Sequence, residues 1–350
     1  MAEIKKKERL IGLDVLRILS MLLITIRHYI HYSELTALLD CFTVNGVVIR
    51  FLDVFCGSAV NIFVLISGYF LSASGFKRKK ALMIWGETFF YSVICFAVAV
   101  VFGLEKITAG KLLLSFAPFV SRHYWFTVAY LAVYAVSPFL NKMVGALSEK
   151  EYTGLIAGGA LLLSAWTSLV FVSAGVVTGG STGLLWFCYL YLVGGYFKKY
   201  PEKLPKKNIC WLIVVLMTGI LLVFSFMREK ITLLDLFPLL EDDSITELLL
   251  SVALFGAFLQ IRIKSGLFSK LVVSVAACSF GVYLIQESCM IRQWLWYSLV
   301  QGNTITDRWY LLPVGLLVAL CLFVLAWIGH KIYKLLVGVM EKSFNQKKTV

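Results

Sequence analysis

Arg17 and His28 lie eleven residues apart in the first apolar stretch, LIGLDVLRILSMLLITIRHY over residues 10–29. At about 100° per residue, that interval is three helical turns plus roughly 20°, so the two side chains share one face. They are separated by about 16 Å along the axis. A guanidinium presents five donors in a fixed fork that suits phosphate. A neutral imidazole can accept a proton from a hydroxyl or attack an acyl carbon itself. An ionisable residue deep in a membrane span costs about 2.5–3.5 kcal/mol on insertion scales, so such a pair marks a use. Asp14 stands one turn before Arg17 and His31 one turn after His28; with Ser20 they complete a polar stripe. The bland alternatives are an Asp14–Arg17 pair that only neutralises itself and an interfacial histidine bonded to a neighbour.

The elements that must position this pair are membrane helices. The chain has 350 residues, 60% hydrophobic and 15% charged, against roughly 25% charged in a soluble domain. Its mean hydropathy is +0.85. Apolar runs long enough to cross about 30 Å of hydrocarbon fall at 10–30, 47–73, 81–103, 123–144, 153–172, 183–197, 208–227, 244–261, 271–290 and 309–333. The expectation is an all-α polytopic bundle of about ten transmembrane helices, forming one membrane-embedded domain over 1–350. Residues 112–122 are apolar but too short to span. The net charge of +13 does not point to nucleic acid, because the charges sit in short loops between spans. With the N-terminus in the cytoplasm, 23 basic residues fall on the inside and 7 on the outside, which predicts both termini cytoplasmic in a cell-membrane protein. No cleavable leader is evident, as the first span carries Arg17 and Arg27. The eight cysteines form no CxxC pair, so no metal site is expected.

Further polar groups sit where they can serve a site. Asn61, Ser67 and Tyr69 punctuate the second span, and Gly68 permits close helix approach. The run Lys77-Arg78-Lys79-Lys80 follows at its cytoplasmic mouth; the inside bias of positive charge accounts for it, and a grip on phosphate would be an added role. Glu87 in the third span needs a cation, and Arg17 is one candidate. Arg122, His123 and Trp125 open the fourth span on the outer side. Gln286 and Glu287 end the ninth, followed by Arg292 and Trp296.

These residues carry a resemblance to the acyltransferase-3 family of integral membrane acyltransferases. The matching features are Arg17-x10-His28, the run NIFVLISGYFL from Asn61 to Leu71, the stretch from His123 to Asn141, and the stretch from Phe280 to Trp296. The likeness spans most of the chain in the family's order, and its last two motifs look most like the exopolysaccharide and capsule O-acetyltransferase branch. Two departures stand out: Gln286 where many relatives have histidine, and Lys77-Arg-Lys-Lys80 where many have Arg-x-x-Arg. Relatives that modify peptidoglycan often carry a fused extracellular domain; the sequence ends soon after the last span, and the expectation is that the chain acts alone or with a separate partner.

The resemblance implies an enzyme that moves an acetyl or other acyl group from acetyl-CoA, made in the cytoplasm, to a hydroxyl of a cell-surface polysaccharide or lipid-linked oligosaccharide. His28 would be catalytic, as general base or as acyl carrier. Arg17, with Arg78, Lys79 and Lys80, would hold the CoA phosphates. Asp14, Asn61, Ser67, Tyr69, Glu87, Arg122, His123, Trp125 and Gln286 would support or line the site. The rival from another class is a transporter or flippase of lipid-linked sugars, which should show inverted repeats and broken helices.

Overall fold

In hydrocarbon each backbone N–H and C=O must bond within its own segment, so apolar runs of this length fold as helices. The computed structural model describes residues 9–119, 124–169 and 180–346, and among these there is no strand. Ten main helices follow the ten apolar runs. They are α1 (Ile11–Tyr32), α2 (Val44–Leu71), α3 (Arg78–Val101), α4 (Trp125–Ala146) and α5 (Glu149–Leu169). After these come α6 (Leu184–Lys199), α7 (Lys207–Arg228), α8 (Ile245–Leu259), α9 (Leu267–Gln286) and α10 (Leu311–Gln346).

Seven of them (α2, α3, α4, α5, α7, α9 and α10) are long and apolar enough to cross a membrane. Helices α6 and α8 are shorter, with 16 and 15 residues, and α1 carries Asp14, Arg17 and Arg27. The described part of the apolar segment 112–122, up to residue 119, carries the end of a short helix, Ala109–Phe116. Helix α10 continues beyond the expected end at 333. Lipid-facing positions are plain on α7, where Leu212, Val215, Leu216, Ile220 and Val223 are exposed, and on α10, where Leu317, Leu320, Val324 and Leu325 are.

Helix α1 occupies the middle. It packs against both halves of α2 and against α8, α9 and α10. Two of these neighbours are broken. Helix α2 divides at Gly57, where the Glu247 carboxylate lies so close that a Cβ would overlap it. Helix α9 divides at Ala277–Cys278. Breaks of this kind are tolerated at membrane depth where the backbone is covered by protein or lines a cavity.

The tightest pairing is between α2 and α6. A Cβ on Gly68 would strike the Tyr191 backbone, and one on Gly194 would strike the Leu65 carbonyl. Small residues let the two backbones touch, as the second-span motif anticipates. Gly194→Val should therefore cost about 1–3 kcal/mol of stability, as overpacking does. Gly219→Val, on the exposed face of α7 with open space around it, should stay within roughly 0.5 kcal/mol. Thermal unfolding of the two variants in detergent checks this; equal losses would contradict the α2–α6 contact.

Candidate active site

The polar stripe of α1 divides into two clusters, one near each end. At the first end Asp14 accepts from Arg9 Nε at 2.6 Å and from Arg17 Nη1 at 3.0 Å. Arg9, ahead of the helix, holds its proton more firmly than an ordinary guanidinium because of its hydrogen bond to Asp14. Two guanidiniums share one carboxylate, so the cluster keeps a net positive charge. The Asp14–Arg17 pair exists, yet it does not exhaust the donors of Arg17.

Arg17 opens into a partly open cavity of about 340 Å³ lined by α1, α2, α3, α4 and α9. Lys80, Tyr130, Ser67 and Glu87 share this cavity with Arg17. Met21, Phe63, Phe126 and Phe280 give it an apolar interior, and the break in α9 contributes Ala276 and Ala277. The cavity thus combines cationic and hydroxyl donors with an apolar wall. Met21 marks the way along α1: its sulfur accepts from Gln286 Nε2 at 3.9 Å, and Gln286 is fully buried beside the imidazole of His28.

At the second end His28 Nδ1 lies 3.4 Å from Glu287 Oε1, with the His28 side chain 22% accessible and that of Glu287 4%. Glu287 also accepts from the Tyr32 hydroxyl at 3.2 Å and from Arg292 Nη1 at 3.3 Å. The Arg292 guanidinium sits 5.2 Å from the centre of the Tyr32 ring. A carboxylate facing Nδ1 favours the tautomer with its proton there, which leaves Nε2 free as base or nucleophile. The 3.4 Å separation is longer than a normal hydrogen bond, and Nδ1 has no hydrogen-bond partner among the described residues, a looseness common at catalytic pairs without substrate.

The expected site residues separate into groups. Arg17, Ser67, Lys80 and Glu87 meet at the cavity, and Asp14 supports Arg17. Gln286 stands between the cavity and His28. Glu87 bonds His330 Nδ1 of α10 at 3.0 Å, which corrects the expected pairing with Arg17. Lys79 turns away from the cavity and pairs with Glu341 at 2.9 Å, and Arg78 is solvent-exposed. Asn61 is a clamp: its amide donates to the Asp242 carbonyl at 2.6 Å and accepts from Trp186 Nε1 at 3.0 Å. Tyr69 packs on Phe255 and under Lys198, and Trp125 on Phe126 and Phe187. Arg122 and His123 lie outside the described residues.

The sequence shows Glu287 and Arg292 at the end of the ninth span but not their partners, since Tyr32 and His28 come from a helix about 255 residues away. Tyr130, inside the fourth-span motif, reads in the sequence as an ordinary aromatic of the span and reaches the cavity only through the fold.

A family model described as an acyltransferase domain matches residues 10–328, nearly the whole chain. No curated protein and no solved structure matches.

Glu287→Gln keeps the shape and removes the charge that faces Nδ1. It should lower acyl-transfer turnover by roughly 10² or more while the acyl donor's KM stays within a few-fold. Steady-state kinetics in membranes measure both; unchanged turnover would remove Glu287 from the site.

Proposed function

The chain belongs to the acyltransferase-3 family, and from that premise we propose that it moves an acetyl group from acetyl-CoA to a hydroxyl of a cell-surface or lipid-linked polysaccharide. The observation that carries this reading is the arrangement along α1: a cavity with Arg17 and Lys80 near one end, and a His28–Glu287 pair near the other. The excess of basic residues on the Arg17 side supports a cytoplasmic location for that end and for both termini.

In this reading the CoA phosphates meet Arg17, Lys80 and the Tyr130 hydroxyl. Arg17 supplies bidentate donors and Lys80 a point charge. The pantetheine arm runs past Met21, Phe63 and Phe126, whose apolar surface excludes water from the thioester. About 16 Å of helix separates the phosphate site from His28, which suits an extended arm. The acceptor hydroxyl then attacks the thioester carbonyl carbon while His28 Nε2 takes its proton. As the C–S bond breaks, the same proton goes to the departing thiolate. Glu287 steadies the imidazolium that exists between the two transfers. The alternative sequence has His28 attack first and carry the acetyl group to the acceptor; both end with one ester and one free thiol.

The buried charges and the breaks in α2 and α9 also suit a transporter of lipid-linked sugars. Family membership together with a carboxylate–imidazole pair favours chemistry over transport.

His28→Ala should cut transfer of radiolabelled acetyl from acetyl-CoA by about 10²–10⁴ while the protein elutes from a sizing column as wild type does. Full activity in that variant would overturn the assignment. Arg17→Ala should raise the acetyl-CoA KM by roughly tenfold or more, the scale of a charge-assisted hydrogen bond. An unchanged donor KM would count against the phosphate role.

A further inference from the structure

Beyond the second end of α1 the chain forms a feature the mechanism has not used. Residues Trp294–Val300 wind as a π-helical turn, a wide form that is rare and often found at functional sites. It ends at Gln301, a non-glycine residue with φ of 46°. Between this turn and the segment after α3 lies a cavity of about 450 Å³. Leu104, Glu105, Gln293, Trp294, Tyr297 and Ser298 form most of its wall.

The chemistry of that wall selects among ligands. Trp294 stacks one face on Phe102, and Tyr297 is half exposed. Flat aromatic faces suit the C–H faces of a sugar ring, while an amide, a hydroxyl and a carboxylate suit its hydroxyls. Aromatic anchoring at the membrane interface would account for the two rings alone, but not for Gln293, Ser298 and Glu105 beside them. The wall's carboxylate, Glu105, is paired with Lys111, so its charge is balanced and the wall suits a neutral ligand better than an ionic headgroup.

The cavity also adjoins the reacting centre. Tyr297 meets the Tyr32 ring edge-on at 6.5 Å, and Tyr32 lies 5.6 Å from the His28 ring and donates to Glu287. A ligand seated here is two ring contacts from the imidazole.

We propose that this cavity is a subsite for a neutral sugar unit of the acceptor chain, holding the polysaccharide so that a neighbouring unit presents its hydroxyl to His28. This rests on the polysaccharide reading of the acceptor given above.

The test uses the full chain in membranes, radiolabelled acetyl-CoA, and extracellular polysaccharide of the producing strain stripped of its O-acetyl groups by mild base. Tyr297→Ala and Gln293→Ala should each raise the half-saturating polysaccharide concentration by about tenfold, with the acetyl-CoA KM changed less than roughly twofold. If Tyr297→Ala does not fold, Gln293→Ala carries the test, since that side chain is exposed. An unchanged acceptor constant while wild type transfers acetyl would overturn the subsite and leave the functional reading standing. Loss of a co-purifying phospholipid with no change in the acceptor constant would identify the occupant as lipid and overturn it too. Wild-type membranes that label no polysaccharide would overturn the acceptor reading and the subsite with it.

Discussion

The bundle depends on placing a charged helix at its centre. Helix α1 carries Asp14, Arg17, Arg27 and His28, and in hydrocarbon each charge needs a partner or a cavity. The structure supplies both. Asp14 faces two arginines, Arg27 Nη1 meets Asp242 at 2.6 Å, and His28 faces Glu287. These partners come from the segment ahead of α1, the segment ahead of α8 and the end of α9. The charges thus fix where the neighbouring helices stand, and the neighbours in turn fix the imidazole.

The two arginines deep in α1 are used differently. Arg27 belongs to a closed network with Asp242, and the backbone carbonyl of Asp242 is held by Asn61, itself bonded to Trp186. That network clamps α1 to α2, α6 and the start of α8. Arg17 keeps donors turned toward a cavity. Two residues of the same type in one helix therefore divide into a fastener and a site. The difference is the number of partners: Arg27 sees Asp242 with Asp53 and Glu247 close by, whereas Arg17 shares one carboxylate with Arg9.

Much of the fold was legible because hydropathy alone sets segment position in a membrane. Each of the ten apolar runs carries a helix among the described residues. The breaks at Gly57 and Ala277 were not visible, since each depends on what packs against it rather than on local composition. In the site, helical spacing placed Arg17 and His28 on one face. It could not give their partners, which come from helices distant in sequence. Glu87 illustrates this: charge logic demanded a cation, but His330 lies 243 residues away and reads as an ordinary residue of the last helix. Asn61 and Tyr69 shared a motif with Ser67, yet only Ser67 faces the cavity. Position around a helix axis separates them, and a single motif string does not show which face is turned inward.

The central claim is that acetyl-CoA lies along α1 with its phosphates at Arg17 and its acyl end at His28. Cryo-electron microscopy of the full chain with a non-hydrolysable acetyl-CoA analogue tests it directly. The account predicts phosphate density against Arg17 and Lys80 and an acyl group beside His28, placed so that an acceptor oxygen fits about 3–3.5 Å from the acyl carbon and about 2.6–3.2 Å from Nε2. Phosphates bound at the His28 end, or an acyl group left at the Arg17 end, would contradict it.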